Sequence, residues 1–204
     1  FIAPQFKTLE EMHSNAIIGT SSPRRAAFLQ HLYPHFTIKM LRGNVDTRLQ
    51  KLENGHFHGM ILAVAGLKRL GKSYQQYELL PPDTFVPSVG QGTIAIECRQ
   101  DDTLTQKLLS MINHLPTFHC LEAEQQLIRT LNGNCYSAIG VHATADQDTL
   151  NLNAAVLSPD GKSIIREQRS GNINHRLNLA SEMGDHLLQQ GAEKLLNHQP
   201  RSLT

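Results

Sequence analysis

The sequence has no tryptophan, and aromatic residues make up only 5% of it. Surfaces that stack nucleic-acid bases draw on such rings, so that class starts with little support. An excess of one charge is missing too: 19 Lys and Arg stand against 18 Asp and Glu, a formal net charge of +1. A polyanion partner calls for a denser basic stripe, with binding that falls steeply with salt. The 3 cysteines, Cys98, Cys120 and Cys135, are an odd number without close spacing. That argues against a disulfide framework or a zinc site and for a reducing cytoplasm. No apolar run approaches the roughly 20 residues of a membrane helix. No signal peptide or lipidation motif is legible, and the 11 histidines are scattered without a catalytic or metal-ligating signature.

What remains is an ordinary globular composition, 40% apolar and 18% charged, over 204 residues. That length holds one large domain or two small ones. The charge is unevenly spread: residues 1–92 carry ten Lys and Arg against six Asp and Glu, and residues 93–204 nine against twelve. A modestly basic first half suits a small anionic ligand.

The first half alternates strand and helix signals. Ala16 to Gly19 reads as a short buried strand, and Arg24 to Leu32 as a helix. "FTIKML" (Phe36 to Leu41) reads as a second strand. In "VDTRLQKL", Val45, Leu49 and Leu52 form the apolar face of a helix ended by Asn54-Gly55. "GMILAVAG" (Gly59 to Gly66) predicts a third strand, apolar throughout as in a parallel sheet covered on both faces, and Leu67 to Leu70 a short helix. This order predicts an open α/β domain. "LLPPDTFVPSVGQG" (Leu79 to Gly92) is a proline- and glycine-rich connector. "TIAIECR" (Thr93 to Arg99) predicts a strand with Ile94, Ile96 and Cys98 inward, and Thr103 to His114 a helix. After Pro116 and Thr117 come a helix (Phe118 to Leu131) and strands near Ile139–Ala143, Leu150–Leu157 and Ser163–Gln168. "SPDG" turns between the last two, and a closing helix runs through "LASEMGDHLLQQGAEKLL". The second half is thus expected to be a small α+β domain with a three-stranded antiparallel sheet.

Ligands of open α/β sheets bind beyond the carboxyl ends of the strands. All three strand ends carry polar or cationic groups: Thr20, Ser21, Ser22, Arg24 and Arg25; then Arg42 and Arg48 in "RGNVDTR"; then Lys68 and Arg69 in "GLKR". Ser22 suits an N-cap and Pro23 the first helical position. The exposed amides and dipole of that helix then favour an anion in the crevice. Arginine forks match carboxylates in a way lysine does not, so clamps on separate loops suit a ligand with several carboxylates. An arginine pair on a first helical turn is by itself an ordinary solvated face; three cationic loops in one crevice argue otherwise. Lys39 and Lys51 are read as solvated.

Cys135 follows a helix ending in Leu127, Ile128 and Leu131. Gly133 is expected to take the left-handed position there, so that Cys135 emerges on a tight loop as a nucleophile or an attachment point. Cys98 and Cys120 are read as small apolar fillers.

The stretches "IGTSSPRRAAFL", "LRGNVDTRLQKLENG", "ILAVAGLKRLG", "PSVGQGTIAIECR" and "LNGNCYSAIG" together resemble the hydroxymethylbilane synthase family, also called porphobilinogen deaminase, of tetrapyrrole and heme biosynthesis. They occur in the family's order and cover most of residues 16–143; "SPDGKSIIREQRSG" matches in pattern. The resemblance implies a transferase that joins four porphobilinogen units head to tail, releasing ammonia at each step, then hydrolyses off hydroxymethylbilane. It implies a dipyrromethane cofactor held by Cys135 through a thioether. It also implies that Arg24, Arg25, Arg42, Arg48 and Arg69, with Ser22 and Gln91, bind the acetate and propionate arms of porphobilinogen and the oligopyrrole intermediates.

The implied fold is an open-sheet domain of periplasmic-binding-protein type followed by the small C-terminal domain. Its expected bounds are 1–92 for the carboxylate-binding domain, 93–112 for a strand and helix of the family's first domain, and 113–204 for the cysteine-bearing domain. The family's catalytic aspartate lies in a "KDVP"-type motif that has no counterpart here. The chain is therefore expected to be a fragment lacking most of the first domain and inactive alone. Asp101 and Asp102 sit outside any matching motif; Pro23 and Asp46 stand where leucine and glycine are common, and Asp46 weakens the local anion field. The full-length family is expected to be monomeric, whereas an unpaired Thr93–Arg99 edge would expose the fragment to self-association. No metal, membrane or nucleic-acid partner is implied. The rival reading is a non-catalytic carboxylate-binding module of the periplasmic-binding-protein type, which has no need of Cys135.

Overall fold

The computed structural model describes residues 1–71 and 77–197. Its first half is built on a three-stranded parallel sheet in the order β2-β1-β3, formed by β1 (Ile17–Thr20), β2 (Thr37–Met40) and β3 (Gly59–Met60). Ile17 pairs with Thr37 and Ile18 with Gly59. Between the strands run α1 (Pro23–Leu32) and α2 (Val45–Glu53), and after them α3 (Val64–Arg69). α1 starts where its sequence directs: the Ser22 hydroxyl accepts from the Arg25 amide, and Pro23 occupies the first turn. Asn44 caps α2 in the same way, accepting from the Thr47 amide at 2.9 Å, and Asp46 lies in that helix's first turn.

The expected third strand is mostly absent. Only Gly59 and Met60 join the ladder, and Val64 already begins α3. A strand extends only as far as its neighbour offers partners, and the last bond toward β1 runs from the Ile61 amide to the Gly19 carbonyl. The apolar run of "ILAVAG" is mostly half-buried loop and helix rather than strand.

The second expected strand to fail is Thr93 to Arg99. Among the described residues it pairs with nothing, and Ile94 and Ile96, expected inward, are 73% and 59% exposed. Alternation predicts a strand only if some edge is there to receive it. The helix that follows, α4 (Thr103–Ile112), is capped by Asp102, whose carboxylate accepts from the Thr105 amide, but it buries none of its residues. Pro116 does not interrupt the chain as expected. It sits in the first turn of α5 (Leu115–Thr130), with His114 as the cap.

The C-terminal half matches the expected α+β layout. β4 (Ile139–Asp146), β5 (Thr149–Leu157) and β6 (Ile164–Asn172) form an antiparallel sheet in sequence order, covered by α5 and α6 (Arg176–Gln189), with α7 (Ala192–Asn197) closing it. The predicted single closing helix is broken at Gly191, whose φ is 98°. The inward residues of this sheet, Val141, Leu152, Ala154 and Val156, pack with Leu127 of α5 and Met183 and Leu187 of α6. The opposite face is also engaged: Ala155 and Leu157 belong to one core with Ile18, Phe28 and Leu29 of the first half. The two halves therefore share buried apolar contacts.

Candidate functional site

The turn after β1 and the first turn of α1 aim two guanidinium groups into a cleft at the ends of the parallel strands. Arg24 is buried, only 4% exposed. Its Nη1 donates to the Val86 carbonyl, and its Nη2 to Gln91 Oε1 at 3.4 Å. Arg25 donates from Nη1 to the Ile61 carbonyl at 3.0 Å and from Nη2 to the same Gln91 oxygen at 3.3 Å. Arg48, half-buried on α2, donates from Nε to the Gly43 carbonyl at 2.7 Å and from Nη2 to Ser21 Oγ at 3.3 Å. The cleft has a volume of about 230 Å³, and its walls include Arg24, Arg25, Leu62, Ala63, Pro87 and Gln91.

This cluster is electrostatically unfinished. Among the described residues no carboxylate makes an ion pair with Arg24, Arg25 or Arg48. Burial, with the neighbouring charge of Arg25, pushes the Arg24 guanidinium down to about 9. Arg25 is lowered by its own burial and then by Arg48. Guanidinium groups stay protonated in proteins, so these shifts register charge held out of water without a counter-charge. Arg24 Nε is, in addition, a buried donor with no hydrogen-bond partner. Buried donors are nearly always satisfied, and an anion entering the cleft would supply the missing counter-charge.

The remaining expected residues are placed less uniformly. Ser22 is the α1 cap, its hydroxyl 3.4 Å from the Arg25 amide. Arg42 is exposed beside Gly43, and its carbonyl accepts from Lys51 Nζ at 3.0 Å. Lys51, read from sequence as solvated, thus fixes the Arg42 loop. Lys68 and Arg69 are exposed at the last turn of α3 and do not line the cleft. The geometry joins Arg24, Arg25 and Gln91 in one hydrogen-bonded set, with Arg48 near enough to Arg25 for its charge to be felt, and leaves Arg42 and Arg69 outside it.

Cys135 is exposed, in the loop between α5 and β4, and lines none of the described cavities. The loop is held by its neighbours: the Asn134 amide donates to Ser137 Oγ, the Tyr136 amide to Asn134 Oδ1, and the Ser137 amide to the Asn134 carbonyl. The left-handed residue at the end of α5 is Asn132, with φ 50°, and not Gly133 as expected. Gly133 instead lies close to a neighbouring side chain: a Cβ there would come 2.6 Å from Ile139 Cδ1 and displace that methyl. Cys98 and Cys120 are half-buried; burial raises the Cys120 thiol, with Glu124 adding to the shift.

Sequence reasoning missed the carbonyls of Val86 and Ile61, which orient the two forks. A backbone acceptor carries no side-chain signal. It also missed Glu124, which is buried between α5 and the connector and accepts from the Gly90 amide at 2.7 Å. Among the described residues no group of His, Cys, Asp and Glu could hold a metal ion, and no helix is long and apolar enough to cross a membrane.

Residues 1–107 match the family model described as porphobilinogen deaminase, dipyromethane cofactor binding domain. Residues 118–192 match the one described as porphobilinogen deaminase, C-terminal domain. The arginines lie in the first match and Cys135 in the second. The porphobilinogen deaminase of Nitrosomonas europaea is 38% identical over 196 residues, 96% of this chain and 64% of that protein. That of Coxiella burnetii (strain RSA 493 / Nine Mile phase I) is 41% identical over 188 residues, 92% of this chain and 61% of that protein. That of Prochlorococcus marinus (strain MIT 9215) is 41% identical over 189 residues, with 59% of its length covered. The chain thus spans about three-fifths of the length of these relatives, and it belongs to the porphobilinogen deaminase family.

Proposed function

We propose that these residues are the pyrrole-carboxylate-binding and cofactor-bearing part of a hydroxymethylbilane synthase. That enzyme joins four porphobilinogen molecules head to tail, with loss of ammonia at each condensation, and then hydrolyses off hydroxymethylbilane. The observation that carries the reading is the buried, partnerless Nε of Arg24 beside a cleft lined by two guanidinium groups that no carboxylate pairs among the described residues, with the charge of Arg48 acting on Arg25. Each pyrrole brings two carboxylates, and each carboxylate accepts a planar fork.

A dipyrromethane cofactor fits the residues present. Cys135 offers an exposed sulfur on a hydrogen-bonded turn for a thioether, and Arg24, Arg25 and Arg48 offer donors for its acidic arms. Bound there, the cofactor supplies the primer to which successive pyrroles are joined. Ser22 holds the first turn of α1 open toward the cleft, and Gln91 orients both forks. Arg42 and Arg69, at the exposed margin, take the arms of a longer chain.

In this reading residues 1–92 form a lobe of periplasmic-binding-protein type, residues 113–204 carry the cysteine, and residues 93–112 belong with the family's first domain. In support, α4 buries none of its residues, as expected of a helix whose proper neighbour is elsewhere in the protein. The catalytic aspartate of the family has no counterpart in these residues, so the 204-residue chain by itself turns over no porphobilinogen. In this reading the full enzyme is a cytoplasmic monomer.

The test is the intact mass of the protein expressed from its complete gene. An adduct of two pyrrole units that disappears in Cys135→Ser supports the proposal. An unmodified mass overturns it and favours a non-catalytic carboxylate-binding module. Turnover by the purified 204-residue chain would overturn the assignment of catalysis to a part outside it.

A further inference from the structure

Glu124 on α5 is 6% exposed, and each of its carboxylate oxygens holds a different backbone amide. Oε2 accepts from Gly90 at 2.7 Å and Oε1 from Ala143 of β4 at 2.8 Å. Gly90 lies in the connector between the halves, next to Gln91, whose oxygen receives the Nη2 groups of Arg24 and Arg25. The same connector is tied to β4 by the Val141 amide, which donates to the Pro87 carbonyl at 2.8 Å, and to α1 by Arg24 at the Val86 carbonyl.

A serine or asparagine would satisfy one amide at lower cost than a buried charge. Only a carboxylate accepts at both oxygens, and here those two acceptors join the connector to the C-terminal sheet. Around Glu124, His142 Nδ1 lies 3.9 Å from Oε1 and Cys120 sits four residues earlier on α5. Among the described residues no Lys or Arg pairs with it. Its carboxyl is raised by burial, against the pull of the Gly90 and Ala143 amides.

We propose that Glu124 is a positioning residue for the arginine cleft: by clamping Gly90 to β4 it fixes the Gln91 oxygen, and through it the direction of the free N–H groups of Arg24 and Arg25. The C-terminal half, which carries Cys135, thereby sets the geometry of the carboxylate site in the other half.

The inference rests on the proposed function only for its probe, porphobilinogen. In the ligand-free, isotope-labelled protein, Glu124→Gln is expected to move the NMR signals of Gly90, Gln91 and the Arg24 and Arg25 guanidinium groups. Movement confined to Gly90 and Ala143 overturns the proposal. Porphobilinogen affinity is expected to fall about fivefold in Glu124→Gln and in Gln91→Ala, and no further in the double variant, because the two act in series. Additive losses indicate a merely structural role and overturn it.

Should Glu124→Gln fail to fold, the wild-type protein decides by reciprocity. Added porphobilinogen must then shift the Gly90 and Ala143 amides along with the arginines, and a response of the arginines alone overturns the proposal. If porphobilinogen shifts no signal in the wild type, the carboxylate reading fails, and the ligand-free comparison is made with Glu124→Asp, whose shorter arm must move the same Gln91, Arg24 and Arg25 signals or overturn the proposal.

Discussion

Gly161, in the turn between β5 and β6, lies so close to α1 that a Cβ on it would come within 2.6 Å of the Ala27 carbonyl oxygen. Its φ of 70° is also one that side chains disfavour. His31 of α1 reaches the Gly161 carbonyl at 2.9 Å, so this turn is a seam between the halves. Gly161→Ala combines left-handed strain with overpacking and is expected to cost about 2–4 kcal/mol in urea unfolding. Because Phe28 and Leu157 share a core, wild-type unfolding is expected to be a single transition. Two resolved transitions would show that the halves are energetically separate.

Carboxylate binding should be visible as ligand-linked stability. Porphobilinogen at about one hundred times its Kd is expected to raise the unfolding free energy by about 2.7 kcal/mol. Arg24→Met removes the buried fork and its partnerless Nε, and the same addition should then give almost no shift. An undiminished shift in Arg24→Met would place the ligand elsewhere.

His142 makes stability depend on pH with a definite sign. Burial holds its imidazole below the ordinary 6.5, only partly opposed by Asp83. As pH falls below about 6.5 the unfolded chain takes up the proton first, so stability is lost from there down through the lowered folded value, and is retained above. His142→Gln is expected to flatten part of the fall in unfolding free energy between about pH 7.5 and pH 5.5. An unchanged slope assigns that fall to other groups.

The cysteines should react unequally. Cys135 is exposed, whereas Cys120 is half-buried with its thiol raised. In the 204-residue chain lacking a thioether, iodoacetamide is expected to label Cys135 about tenfold faster than Cys120. In protein carrying the two-pyrrole adduct that fast phase should vanish. Its persistence in adduct-bearing protein would locate the thioether at another cysteine.

The surface around α4 should make the 204-residue chain associate. Ile94, Leu104, Met111 and Ile112 are all large, apolar and exposed, which marks a sticky patch. Sedimentation is expected to show mass growing with concentration, and less so in Met111→Lys. A strictly monomeric species at high concentration would remove this expectation, which the absence of a Thr93–Arg99 strand already detaches from edge pairing.

The elements legible in the sequence were those whose signal is local. Ser22-Pro23 starts α1 and Asn44 starts α2 because a capping side chain meets an amide two or three residues away. The "SPDG" turn was readable because turn chemistry is likewise short-range. The same local logic failed for "ILAVAG" and "TIAIECR", since a strand exists only where another strand receives it. It failed at Gly133 as well, because the left-handed residue is Asn132 one position earlier.

By itself the sequence determined that arginine forks follow the strand ends, that one cysteine stands on a turn, and which family the motifs belong to. Only the tertiary structure decided that Arg24, Arg25 and Arg48 converge while Arg42 and Arg69 stay at the margin. It also decided that Arg24 is buried without a counter-charge and that Glu124 reaches across to Gly90. Hydrogen bonds between residues more than 30 positions apart depend on how the chain is packed, and no local pattern of residue types encodes a distance in space.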